Sequence, residues 1–188
     1  MTVMQTRCLT PSEATETVLR RYRQSGGRRR GMAITEVEHA AQCAMLARRA
    51  GLEPTLVAAC LLHDYGRLLG AEPGVHAEVG ADALESTFGP EVTEPIRLHT
   101  RAWGYLAAIE PDFALAFPAR PTDLPAELSE PMTGAEVRAF LREPFAPAAA
   151  TLRRIDESGR LPGIDTLPLE HFRPLLEGLA ERHLVLRG

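Results

Sequence analysis

The chain has 188 residues, of which 45% are hydrophobic and 24% charged, with a formal net charge of −4. That length suits one domain able to bury a sizeable core, and the mild acidity argues against nonspecific nucleic-acid binding. Lysine is absent and all 21 basic residues are arginine, so mechanisms that need a Schiff-base or nucleophilic lysine are excluded, while arginine suits bidentate recognition of anions.

In chain order, Pro11-Ser12-Glu13 opens a segment with apolar positions at Ala14, Val18 and Tyr22. That spacing predicts a helix over 11–24. The stretch SGGRRRG (25–31) breaks it and reads as a mobile basic loop. Thr35 then precedes EVEHAAQCAMLARRAG, which predicts a helix from about 36 to 50 ending at Gly51. Pro54 fits the first turn of the next helix, expected to run through Leu69 to a stop at Gly70. Segments 74–89 and 90–109 also read as helical, with Pro95 marking a restart or kink. Residues 110–131, rich in proline, read as a lid or linker, and further helices are expected at 133–143, 146–158 and 168–183. No strand alternation or internal repeat is visible. The expected fold is all-α, a single domain with a core of about 32–158, an N-terminal helix at 11–24 and a C-terminal helix at 168–183.

The opening MTVMQTRCLTPSEA has no apolar targeting segment, and no run approaches the roughly 18 apolar residues of a membrane span. Cys8, Cys43 and Cys60 are odd in number and form no CxxC. A disulfide framework is therefore not expected, and a cytoplasmic setting fits.

The chemistry concentrates in the histidines. His39, His63, His76 and His99 fall on four successive predicted helices, and three of them sit among apolar neighbours. Asp64 adjoins His63 within VAACLLHDYGRLLG, and Asp156 lies in LRRIDESG. A buried carboxylate needs a partner, whether an ion pair, a hydrogen-bond network or a metal. Taken singly, each histidine reads as a core or surface residue, and His63-Asp64 reads equally well as a buried hydrogen-bonded pair. Together, imidazole nitrogens and carboxylate oxygens suit iron, manganese, zinc and similar divalent ions. On a continuous helix His63 and Asp64 project about 100° apart. A carboxylate can nevertheless bridge two metals while its neighbour binds one, and two metals about 3.5–4 Å apart form a known catalytic arrangement.

The order His39, His63-Asp64, His76, His99, Asp156 resembles the HD superfamily of metal-dependent proteins in its dinuclear form. With EVEHAAQCAMLARRAG, AACLLHDYGR, HAEVGADAL and LEHFRPLLEGL, the chain looks closest to the mixed-valent diiron oxygenases that cleave organophosphonates, relatives of myo-inositol oxygenase. The resemblance spans about residues 10–183 and implies a single HD-domain helical bundle. It implies that His39, His63, Asp64 and Asp156 hold one iron. Asp64 would bridge to a second held by His76 and His99, with the pair cycling as Fe(II)/Fe(III). His63 and Asp64 form the catalytic dyad of this reading. O2 and a small anionic, hydroxylated or amino substrate are the expected partners, and a carbon–phosphorus, other carbon–heteroatom or carbon–carbon bond would be cleaved.

The substrate shell departs from that family. Arg67 stands where a second histidine usually follows the HD pair, Arg29 and Met32 replace a gating tyrosine and glutamate, and Trp103 replaces a phosphonate-binding lysine. An arginine three residues before the final aspartate is kept as Arg153. Arg67 and Arg153 are candidate clamps for a phosphonate, carboxylate or sulfonate, with an ion pair to a nearby acid as the other reading of Arg67. Trp103 caps the pocket or packs in the core. Arg28, Arg29 and Arg30 steer an anion or form a solvated charge run, the solvated run being favoured. Glu38 and Gln42 are candidates to hydrogen-bond the ligand imidazoles, and His171 and His183 read as structural or exposed. The alternative enzyme is a phosphohydrolase using the same six residues with Mn or another divalent ion. The alternative class is a catalytically silent binding protein. Nothing in the sequence predicts an oligomer interface.

Overall fold

The computed structural model describes residues 9–29, 33–117 and 130–187. Among the described residues ten α-helices run in the order α1 Pro11–Ser25, α2 Glu36–Arg49, α3 Pro54–Leu62, α4 Tyr65–Leu68, α5 His76–Leu84, α6 Pro90–Ile109, α7 Pro111–Ala116, α8 Gly134–Phe140, α9 Ala146–Ser158 and α10 Arg173–Arg187. A 3-10 turn at Leu169–Phe172 leads into α10, and the described residues contain no strand. The all-α expectation holds.

Local chemistry explains most helix starts. Thr10, Thr35 and Thr133 each accept from the backbone N–H three residues on, while Glu13, Glu38 and Glu136 reach back to the capping residue. These reciprocal caps satisfy amide groups that a helix start leaves unpaired. Pro11, Pro54, Pro90 and Pro111 open their helices, where a missing N–H costs nothing. Pro95 does not interrupt α6, which runs unbroken for 20 residues. The carbonyl that loses a partner is that of Glu91, an exposed residue that water can serve.

Two segments depart from expectation. The helix expected over 54–69 breaks after Leu62, with His63 and Asp64 in a turn and Asp64 at φ −94°, ψ 14°. Within 110–131, residues 111–116 are helical, while 118–129 lie outside the described residues. The basic loop is tied down where it is described. Glu36 N–H donates to the Arg28 carbonyl and Val37 N–H to the Gly26 carbonyl, both at 2.9 Å. Arg30 and Met32 fall outside the described residues.

Helix α6 packs against α9, α5 and α3, with α2 on α3, α4 on α5 and α1 on α10. The main core draws Leu19 and Tyr22 from α1, Leu61 and Leu62 from α3, Leu84 from α5, Ile96 from α6, Leu152 from α9 and Leu176 from α10. Where α2 meets α3 the buried residues are small, namely Ala40, Ala41, Ala44, Ala47, Ala58 and Ala59. Small side chains shorten the distance between helix axes, which brings imidazoles on these helices within reach of one another. No helix among the described residues is long and apolar enough to cross a membrane.

Candidate metal centre

Six buried residues converge between the helices. His39 comes from α2, His63 and Asp64 from the turn after α3, His76 from the first position of α5, His99 from the middle of α6, and Asp156 from the last turn of α9. The break at His63-Asp64 corrects the expectation of a continuous helix. Freed from helical spacing, both side chains face the same centre.

Asp64 is two-sided. Its Oδ2 lies 3.5 Å from His63 Nε2 and 3.7 Å from His39 Nε2, while its Oδ1 lies 3.2 Å from His76 Nε2. Asp156 Oδ1 completes the first group, 3.1 Å from His39 Nε2 and 3.5 Å from His63 Nε2. Within each group the imidazoles meet nitrogen to nitrogen, His39 to His63 at 3.1 Å and His76 to His99 at 3.3 Å.

The outer nitrogens show what those contacts mean. His39 Nδ1 donates to the Gly159 carbonyl at 2.9 Å, His63 Nδ1 to the Cys60 carbonyl at 2.9 Å, and His99 Nδ1 to the Ile96 carbonyl at 2.6 Å. A carbonyl only accepts, so Nδ1 carries the proton in each ring and Nε2 of a neutral ring is a bare lone pair. With both rings neutral, His39 and His63 would thus aim two lone pairs at each other and at two carboxylates, a crowding that only a cation between them relieves. Burial opposes charging His39, yet its pKa is raised well above the ordinary imidazole value by Cys43 and Asp156. Burial also raises the Cys43 thiol, so Asp156 is the anion that draws a proton there. A proton and a metal ion answer to the same field, and the donor set fits a divalent ion.

Three features go beyond the sequence reading, which anticipated an ion pair for Arg67 but not its partner. Each carboxylate is held by arginine: Arg67 Nε donates to Asp64 Oδ1 at 2.8 Å, and Arg153 and Arg160 each approach Asp156 at 2.9 Å. Burial would raise both carboxyl pKa values, but Arg67 with His63 and His76 holds Asp64 well below the carboxylate range, and Arg160 with Arg153 does the same for Asp156. Second, Gly66 lets α4 touch α5. A Cβ there would fall 2.0 Å from the His76 carbonyl oxygen, so any side chain would push Asp64 away from His76. Third, Cys43 lies behind His39, with Sγ 3.8 Å from Nδ1. It can join His39 and His63 in a three-donor group, as can His63, Asp64 and His99. Its raised pKa keeps the sulfur a thiol and favours the imidazole–carboxylate set.

The remaining candidates separate. Arg153 also pairs with Glu157, and its Nε is buried without a hydrogen-bond partner. Trp103 packs with Leu106, Phe113 and Ala150, and its Nε1 is likewise buried and unpartnered. Arg29 is exposed and donates to the Ala33 carbonyl, and Met32 lies outside the described residues. Glu38 and Gln42 do not bond the imidazoles. Glu38 caps α2, and Gln42 binds the backbone of Leu161. His171 pairs with Arg48 and His183 with the Glu85 carbonyl, both outside the six-residue cluster.

Comparison with known proteins gives the family of the chain. Residues 37–156 match the HD domain family. Over 183 residues the chain is 32% identical to hydroxymethylphosphonate dioxygenase of Gimesia maris, an alignment covering 92% of this chain and 90% of that protein. It is 27% identical over 163 residues to 1-hydroxy-2-(trimethylamino)ethylphosphonate dioxygenase (glycine-betaine-forming) of Leisingera caerulea, covering 82% of this chain and 83% of that one. With its six donors in a helical bundle and relatives of this kind along nearly its whole length, the chain belongs to the HD-domain family and fits its oxygenase group.

Proposed function

We propose that this protein is an HD-domain oxygenase that holds two iron ions and uses O2 to cleave a bond in a small, anionic, hydroxylated or amino compound, a carbon–phosphorus bond being the first to test. The observation that carries this reading is the two-sided Asp64, with one oxygen turned to each histidine pair. His39, His63, Asp156 and one oxygen of Asp64 would hold one ion. His76, His99 and the other oxygen of Asp64 would hold the second. When bound, an iron pair supplies the O2 and one-electron chemistry that amino-acid side chains lack.

The chain's own residues fix and charge the site. Arg67 holds Asp64, and Arg153 and Arg160 hold Asp156, so both carboxylates stay ionised and oriented. Of the two roles open to Arg67, the geometry supports the ion pair. These three guanidiniums balance the charges of Asp64, Asp156 and Glu157, so bound metal ions would leave the centre positive. A positive buried centre draws an anion. The unpartnered donors Arg153 Nε and Trp103 Nε1 sit on packed helices, one turn from Asp156 and His99 respectively. They would donate to acceptor oxygens of the substrate, since a buried donor without a partner costs about 1–3 kcal/mol. The two histidines of the second group, with a shared carboxylate, would leave more coordination positions open than the first.

The test is iron loading under anaerobic conditions, partial reduction and electron paramagnetic resonance, followed by O2 uptake with hydroxymethylphosphonate and a series of small hydroxylated anions. The expected result is the signal of a coupled Fe(II)/Fe(III) pair and substrate-dependent O2 consumption. Absence of that signal, together with Mn-dependent phosphatase turnover, would overturn the oxygenase in favour of a phosphohydrolase built on the same six residues.

A further inference from the structure

Three of the four site histidines have their outer nitrogen anchored to a carbonyl, but the anchors differ in kind. His63, in the turn that ends α3, uses the Cys60 carbonyl and His99 the Ile96 carbonyl of α6, each three residues back, so the anchor is local. His39 uses Gly159, 120 residues away in sequence. We propose that Gly159 is a positioning residue for His39, and that it serves because it has no side chain. This rests on reading His39 as a metal ligand.

Gly159 caps α9, with its N–H donating to the Ile155 carbonyl at 2.9 Å, and it follows Asp156 by three residues. The end of α9 therefore grips the His39 ring at both nitrogens, Asp156 Oδ1 at Nε2 and the Gly159 carbonyl at Nδ1. The turn is clasped to α2 by Gln42, one helical turn beyond His39. Gln42 Nε2 donates to the Leu161 carbonyl at 2.7 Å, and Leu161 N–H donates to Gln42 Oε1 at 3.1 Å. Such two-point amide pairing fixes the height of the Gly159 carbonyl above the α2 surface.

The backbone does not demand glycine here, because φ −88°, ψ 28° is open to other residues. Space demands it. A Cβ on Gly159 would lie 2.5 Å from Cys43 Sγ and 3.3 Å from both the Cys43 amide nitrogen and the Ile155 carbonyl oxygen. Cys43 is fully buried and cannot swing aside into solvent. Alanine at 159 would therefore lift the turn from α2 and draw the carbonyl away from His39, while Asp156 stays on its helix.

The decisive comparison uses the parent, Gly159→Ala, Cys43→Ala and the double variant C43A/G159A. In metal-free, 15N-labelled protein, long-range imidazole spectra report the Nδ1–H of His39 without relying on any metal. Titration with Mn(II) reports the ions. Gly159→Ala is expected to lose the protected His39 Nδ1–H. It is also expected to weaken one of two Mn(II) equivalents by about 10- to 100-fold, the range for loss of a partner behind a metal ligand. Cys43→Ala should match the parent, and C43A/G159A should regain both readouts because the obstructing sulfur is gone. A Gly159→Ala protein with the parental His39 signal and both affinities would overturn the positioning role alone. So would a double variant as impaired as G159A. A parent that shows the His39 signal but takes up no Mn(II) would overturn the metal reading and this role with it.

Discussion

The two halves of the centre are built to different standards. In the His39–His63 half, both outer nitrogens are anchored, a whole carboxylate is dedicated to the pair, and two arginines hold that carboxylate. In the His76–His99 half, only His99 is anchored. His76 Nδ1 is buried without a hydrogen-bond partner, and among the described residues the only carboxylate oxygen near it is borrowed from Asp64. His76 also opens α5 at a start with no side-chain cap. Donors pre-set by their neighbours bind an ion without first being ordered, so the first half is expected to be the tighter site and the second the more exchangeable. Asp64 is the only member common to both.

That asymmetry can be broken at several points. The largest effect is expected from Asp64→Ala, which removes the shared carboxylate and should take metal content from the proposed two ions per chain to near none. Elemental analysis after reconstitution checks it, and full metal content would end the bridging assignment. Next, Asp156→Ala should lose the tighter ion and His99→Ala only the weaker one. A Mn(II) titration that shows equal losses would erase the distinction between the halves. Arg67→Met should weaken both equivalents by about 10- to 100-fold through a poorly held Asp64, whereas Arg153→Met should weaken only the first.

Smaller effects lie in stability. The Tyr22 hydroxyl of α1 donates to the Leu61 carbonyl at 2.6 Å, in the last turn of α3 just before the break that frees Asp64. Burial, with Asp64 and Glu36 nearby, raises its pKa well above the usual phenol value, so it stays a donor. Tyr22→Phe should cost about 1–3 kcal/mol by leaving that carbonyl unpaired, read by chemical denaturation. The smallest expected effect is a pH slope. Burial and the neighbouring His63 and His76 push the His99 pKa well below the ordinary imidazole value. Between that lowered value and the usual one near 6.5 the unfolded chain binds a proton that the folded chain refuses. Its share of the stability of metal-free protein is complete above that usual value and falls as pH drops through the window, by at most about 1.4 kcal/mol per pH unit. His99→Leu should flatten the slope.

Helix starts were legible because their chemistry is local. Pro11-Ser12-Glu13, Thr35 and Pro54 each announce a terminus within one turn, and the structure places helices there. Of the site, the candidate residues were legible as types in an order, but their partners were not. Gln42 stood out as a possible hydrogen-bond partner for an imidazole, yet it acts on the Leu161 backbone. Nothing around Gly159 hinted that its carbonyl meets His39, because a carbonyl has no signature in sequence. Gly66, two residues after Asp64, and Gly159 itself are the kind of residue that marks close backbone approach, but a glycine alone does not say what approaches.

By itself, then, the sequence determined an all-helical chain in which four histidines and two aspartates recur on successive segments. Helix periodicity and capping act over three or four residues, and that range can be read from the residues alone. Tertiary structure decided where the helix after Pro54 would break, which oxygen of Asp64 faces which pair, and which carbonyl sets the His39 ring. Those outcomes depend on groups up to 120 residues apart being pressed together. Core burial supplies the force that presses them together, and the need of each buried polar group for a partner selects the arrangement they adopt.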